Sequence, residues 1–134
     1  KDFYAVREDG FWAVKGDADR IVVKEIFKKV GFSALNFTDS RGIFQYYNLK
    51  YLYLDIQKVI DNNIPLMNIA TQPIEIGTLH KVLTGREFVN KVAAKPPYYD
   101  FKTKHRAVFG GSDGYIQTAE FVYNDIKEFV SEMI

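Results

Sequence analysis

The segment PLMNIATQPIEIGTLHKVL, residues 65–83, changes its period midway, and that change limits what the chain can fold into. Leu66-Met67-Asn68-Ile69-Ala70 is a short apolar run of strand length. Pro73 marks a break, and from Ile76 to Leu83 the apolar side chains recur at helical spacing until Gly85 closes the pattern. A strand, a break and a helix in that order belong to mixed α/β architecture. No residue in the segment stands out as a nucleophile, an acid or a metal ligand, so its purpose has to be sought in what surrounds it.

The same punctuation recurs along the chain. DFYAVREDGFWAV places two aromatic-rich runs around Glu8-Asp9-Gly10 and predicts a hairpin. Asp17 or Asp19 then caps a helix whose stripe is Ile21, Val22, Ile26, Phe27 and Val30, stopped by Gly31. SALNF reads as a buried strand, TDSRG as a loop and IFQYY as a second short strand. Leu49, Leu52, Tyr53, Ile56, Val59 and Ile60 share a helical face that ends at Asn62-Asn63. REFVNKVA fits neither period. AKPPYYDFKTKHR is a Pro-broken basic loop with a helical turn expected near Thr103, GGSDG is a turn, and Phe121 to Met133 carry the stripe of a last helix. We expect a small mixed α/β domain over residues 1–134, with short strands between helices and no internal repeat or linker.

Composition narrows the function classes. With 47% hydrophobic and 16% aromatic residues the chain can build a packed core. Its 18 Lys+Arg nearly cancel its 17 Asp+Glu, which argues against nucleic acid or an anionic membrane as the main partner. No cysteine is present, so disulfides and Cys-based zinc or iron–sulfur sites are excluded, and His80 and His105 alone cannot form a His-rich metal site. No apolar run approaches the roughly 20 residues of a membrane span, and no signal peptide is visible, so a cytoplasmic location is expected. The chain opens on Lys1 instead of Met, as expected of a piece of a longer protein or a processed product.

Several motifs hint at chemistry, and each has a plainer explanation. Tyr-x-x-x-Lys occurs at Tyr46/Lys50 and Tyr98/Lys102, a spacing at which an ammonium on the same helix face can lower a phenol pKa. Nine tyrosines among 18 basic residues produce such pairs by chance, Tyr46 precedes its helix, and Tyr98 follows two prolines. FGGSDGY has glycines after an apolar run, but neither the GxGxxG spacing nor a following Gly-Lys-Ser/Thr, so a tight turn is expected. KTKHR suits a phosphate or simply a solvated face. Pro96-Pro97-Tyr98-Tyr99 fits a proline-rich peptide ligand or a rigid turn. Asp39-Ser40-Arg41 puts an acid, a hydroxyl and a base together, with no histidine beside them to make a triad.

The order of these phrases resembles the extended short-chain dehydrogenases/reductases, the NAD-dependent epimerases and dehydratases of nucleotide sugars. In that family an Arg-Asp-aromatic-x-His-Val segment leads into a helix. A Tyr-Asn-Ile-Gly strand, a Pro-Val-Ser break and a second helix follow. Here Gln45-Tyr46-Tyr47-Asn48-Leu49, Met67-Asn68-Ile69-Ala70 and Pro73-Ile74-Glu75 stand at those places. Asp100 to Lys104 and FGGSDGYIQTAEFVYNDIKEFV are similar to the family's ending, and the resemblance covers Ser33 to Ile134. Residues 1–32, the hairpin and first helix, match no part of it.

The resemblance implies the substrate-binding, carboxy-terminal lobe of a larger two-lobed enzyme, in which 65–83 is scaffold. The Gly-rich opening of the Rossmann cofactor lobe has no counterpart here. NAD or NADP is therefore expected in a missing lobe of the parent chain, which becomes this chain's partner, and the isolated chain is predicted inactive with no catalytic and no metal-binding residue. A nucleotide sugar or related small molecule is the implied ligand. The implied substrate-binding residues are Arg41, Tyr46, Asn48, Tyr98, Lys102 and Lys104, in the 39–48 and 95–104 segments, which are expected to lie on one side of the fold and to line one concave surface. The family's pyrophosphate arginines are replaced: Phe44 stands at one, and Lys95, Pro96 and Pro97 lie nearest the other. The alternatives are a non-catalytic protein-interaction module using the aromatic surface, and a small independent enzyme built on the Tyr/Lys pairs.

Overall fold

A computed structural model of the chain describes residues 2–133. Among them are four α-helices and two antiparallel two-stranded sheets, a mixed α/β arrangement with very short strands. The chain divides into two compact units, Lys1–Phe37 and Thr38–Ile134.

The first unit is a hairpin and a helix. Strand β1 (Tyr4–Val6) pairs with β2 (Trp12–Val14), and Gly10, at φ +81°, supplies the left-handed residue that the turn requires. Helix α1 (Arg20–Lys29) starts at Asp19, whose carboxylate accepts from the amides of Ile21 at 2.8 Å and Val22 at 3.2 Å. Val23 is its buried residue, and Phe27 touches Tyr4 and Phe32 at ring-centroid distances of 6.4 and 5.2 Å. Ala34–Phe37 is a 3-10 turn, not the expected buried strand. The Asn36 side chain accepts from the amide and hydroxyl of Ser33, and this local bonding holds the backbone in a turn.

In the second unit β3 (Ile43–Phe44) pairs with β4 (Ile74–Glu75). The expected IFQYY strand stops after two residues. A 3-10 turn at Leu49–Tyr51, capped by Asn48, leads into α2 (Leu52–Asp61), and Asn63 at φ +51° ends it. Residues 66–70 join no sheet: Leu66 is exposed, and the Ala70 carbonyl takes a single bond from the Ile116 amide. Helix α3 (Ile76–Thr84) closes on Gly85, at φ +71°, as its spacing predicts. Helix α4 (Ala119–Met133) is capped twice, by Thr118 Oγ1 on the Phe121 amide and by Gln72 Oε1 on the Ala119 amide. Ala70, Ile74, Ile116 and Val122 are the buried apolar residues, with Asp39, Ser40, Asp55, Thr71, Thr103 and Asp125 buried among them. Gly111 lies against the 115–116 backbone, where a Cβ would fall 2.0 Å from the Tyr115 carbonyl oxygen. Of the FGGSDGY glycines, Gly111 thus permits a close backbone approach. Among the described residues no helix is long and apolar enough to cross a membrane.

Candidate functional site

The 39–48 and 95–104 segments run side by side. Ile43 donates to the Pro97 carbonyl at 2.9 Å and accepts from the Tyr99 amide at 3.0 Å, a parallel bridge between Ile43 and Tyr98. Beyond it the Gln45 side chain replaces a backbone partner. Its Oε1 accepts from the Phe101 amide at 2.7 Å, and its Nε2 donates to the carbonyls of Phe101 and Thr71. The pairing lines up an aromatic row: Tyr46 to Phe44 at 6.4 Å, Phe44 to Tyr99 at 5.4 Å and Tyr99 to Phe101 at 6.2 Å between ring centroids.

Below the bridge lies a polar clasp. The Asp39 carboxylate, almost fully buried, accepts from Arg41 Nε at 2.9 Å and Nη2 at 2.8 Å, and from the amides of Arg41, Val92 and Ala93. The Arg41 guanidinium and then the Ala93 amide hold that carboxyl well below the usual carboxylate range. Arg41 Nη2 also donates to the Ala93 carbonyl at 2.6 Å, and Ser40 Oγ donates to the Asn90 carbonyl at 3.0 Å. The Arg41 fork is therefore occupied and serves as a clasp between two loops. As an open fork for substrate phosphate, the role implied for it by resemblance, it has only its remaining nitrogen.

Beside α4 a cavity of about 520 Å³ is walled by Tyr46, Tyr47, Asn48 and Leu49, by Leu79 of α3, and by Val122, Ile126, Phe129 and Val130, with Asp125 and Gln117 as polar members. Asp125 Oδ1 accepts from Tyr51 at 2.9 Å and from Lys50 Nζ at 2.8 Å. Burial works against its ionisation, but Lys50, Tyr51 and Asn48 outweigh it and lower the carboxyl pKa. Lys50, raised chiefly by Asp125, also reaches Glu128 at 3.2 Å and lies over the Tyr51 ring at 5.0 Å. Tyr47 bonds Asp55, which pairs with Lys58 at 3.0 Å, and burial followed by that carboxylate pushes the phenol up. Tyr46 differs: burial alone raises its phenol, and its hydroxyl has no hydrogen-bond partner among the described residues.

Of the residues implied by resemblance, Tyr46 and Asn48 thus share this cavity. Arg41 sits in the clasp. Tyr98 and Lys104 are exposed, and Lys102 lies over the Tyr115 ring at 5.4 Å, its stem against Gly114. In neither Tyr-x-x-x-Lys pair does the lysine sit over its own tyrosine, since Lys50 serves Tyr51 and Lys102 serves Tyr115. Sequence reasoning passed over Asp125, Gln117, Tyr99 and Phe101. Asp125 left a signal, an acid at helical spacing inside the stripe of Val122, Ile126 and Phe129. His80 packs on Phe88 with Nδ1 against the Arg86 carbonyl at 3.0 Å. Among the described residues the buried Thr71 Oγ1 and His105 Nε2 have no partner, and no three His, Asp or Glu side chains converge as a metal site needs. Comparison with family models, curated proteins and solved structures finds no match to this chain.

Proposed function

We propose that the chain is the substrate-binding, carboxy-terminal portion of an NAD(P)-dependent epimerase/dehydratase-like protein, without catalytic action of its own. The parent protein's cofactor lobe would carry NAD or NADP, and the ligand of this portion would be a nucleotide sugar or a related small molecule. One observation carries the reading: the backbone of Ile43 pairs with that of Tyr98, which sets the two segments assigned by resemblance to the substrate side by side. In that role Tyr98 stacks on a base or sugar, Lys102 and Lys104 neutralise phosphate as point charges, and Arg41 shapes the loop through Asp39. Tyr46 and Asn48, in the segment that follows β3, line the cavity beside α4.

Titration of the isotope-labelled chain with UDP-glucose, followed by amide chemical shifts, tests this. Saturable shifts over residues 95–104, weakened in the Lys102→Met/Lys104→Met variant, are expected; shifts that do not saturate there reject the assignment. Calorimetry with NAD is expected to give an affinity no better than millimolar, because the Gly-rich turn that binds pyrophosphate at a helix N-terminus lies outside this chain. A non-catalytic protein-interaction module is the second reading. It is favoured by the hairpin, where Phe11 and Trp12 stand 71% and 60% exposed next to each other.

A further inference from the structure

We propose that the cavity beside α4 is a binding site for a neutral, largely apolar ring compound carrying one hydrogen-bond acceptor, which the Tyr46 hydroxyl meets. Its volume of about 520 Å³ lies within the range of small-molecule sites, and its walls are mainly aliphatic and aromatic.

Charge decides what enters. Among the described residues no lysine, arginine or histidine lines the cavity. The Lys50 ammonium, bonded to the wall residue Asp125, is also held by Glu128, so two carboxylates face one cation. An anionic ligand would meet no free positive group and one ionised wall residue, and would lose its hydration without compensation. A cationic ligand would have to displace Lys50 from Asp125.

The polar anchors are what remains. Tyr47, Tyr51 and Tyr115 each give their hydroxyl to a carboxylate, whereas Tyr46 gives its hydroxyl to nothing described. Gln117 also lines the cavity, and among the described residues its side-chain amide has no hydrogen-bond partner. A phenol donor and an amide in an otherwise apolar wall fit a ligand carbonyl or ether oxygen on a hydrophobic body. The site does not depend on the nucleotide-sugar reading. That reading is tested at Lys102 and Lys104, and this one at Tyr46 and α4, so either can fail alone.

The experiment titrates the full chain with coumarin, a neutral bicyclic lactone, and separately with its anionic analogue coumarin-3-carboxylate at neutral pH. Saturable shifts of the Tyr46–Leu49 and Val122–Val130 amides by coumarin are expected, with markedly weaker binding of the carboxylate. Tyr46→Phe keeps the ring and removes the donor, and should weaken coumarin about fivefold, the scale of one neutral hydrogen bond. Ile126→Trp fills the cavity and should abolish the shifts. Should that variant not overlay the parent spectrum elsewhere, Val130→Phe takes its place. Equal or tighter binding of the carboxylate, unchanged affinity in Tyr46→Phe, binding that survives a filled cavity, or no saturable shift at these amides overturns the proposal.

Discussion

The hairpin–helix unit and the larger unit are held together in different ways. In the first, the β1–β2 turn, the Asp19 cap and the Ser33–Asn36 turn are hydrogen bonds between near neighbours, around a core in which Val23 is the buried aliphatic residue. In the second, apolar burial at Ile74 and Val122 is joined by carboxylates that tie distant segments, Asp39 to residues 92–93 and Asp125 to Lys50 and Tyr51. A fold built from neighbours loses its parts one at a time. A fold built from distant ties loses them together, because each buried polar group left without its partner is costly.

The sharpest way to break that contrast is to cut the larger core. Ile74, 2% exposed, should cost about 3 kcal/mol when truncated to Ala. Urea unfolding followed by amide exchange should show α2, α3 and α4 losing protection together while α1 is unchanged; loss confined to the 74–75 strand would refute the cooperative picture. Next in size is Asp19→Ala, which removes a helix cap worth about 1 kcal/mol. Exchange of the Arg20–Lys29 amides should quicken with α4 unaffected, and a matching change in α4 would dissolve the distinction.

The smallest effects are electrostatic and sharpen the comparison by pH. The folded Asp39 carboxyl is depressed, so its contribution is present above the unfolded carboxylate pKa of about 3.9 and fades as pH falls through the folded value. Amides 90–93 should therefore stay protected into mild acid, and Asp39→Asn should remove that protection at every pH. At the other end, Tyr115 is pushed up to about 12 by its bond to Asp100, and then by burial. The neutral phenol is the stabilising form. Its contribution holds below the unfolded pKa of about 10 and is lost as pH rises through the folded one. Absorbance titration should show a late tyrosinate step that Tyr115→Phe deletes.

Much of the local structure was legible, because it is written in neighbours. The start of α1 at one of two candidate caps, Asp17 or Asp19, the Gly85 stop of α3 and the stripe of α4 all follow from spacing and caps, and the structure selects Asp19. What failed was extended structure beyond the hairpin. Leu66 to Ala70 has the composition of a strand, but a strand needs a ladder, and the carbonyl of Ala70 found one distant amide at Ile116. IFQYY ended early because the Gln45 side chain, in place of the backbone, took the Phe101 amide. The Asp39-Ser40-Arg41 triplet was visible as an acid, a hydroxyl and a base. That its partners are Asn90, Val92 and Ala93 is a fact about chain reversal, which no local pattern encodes.

The clasp has a kinetic consequence. Its bonds join residues 50 to 54 positions apart in the sequence, in a chain with no cysteine to cross-link them. Closing so long a loop before the core exists is entropically unfavourable, so these bonds are expected to form after the rate-limiting step of folding. Contacts absent from the transition state act on the unfolding rate alone. The Asp39–Arg41 clasp is then expected to act as a brake on opening: in stopped-flow kinetics Asp39→Asn should quicken unfolding and leave the folding rate unchanged.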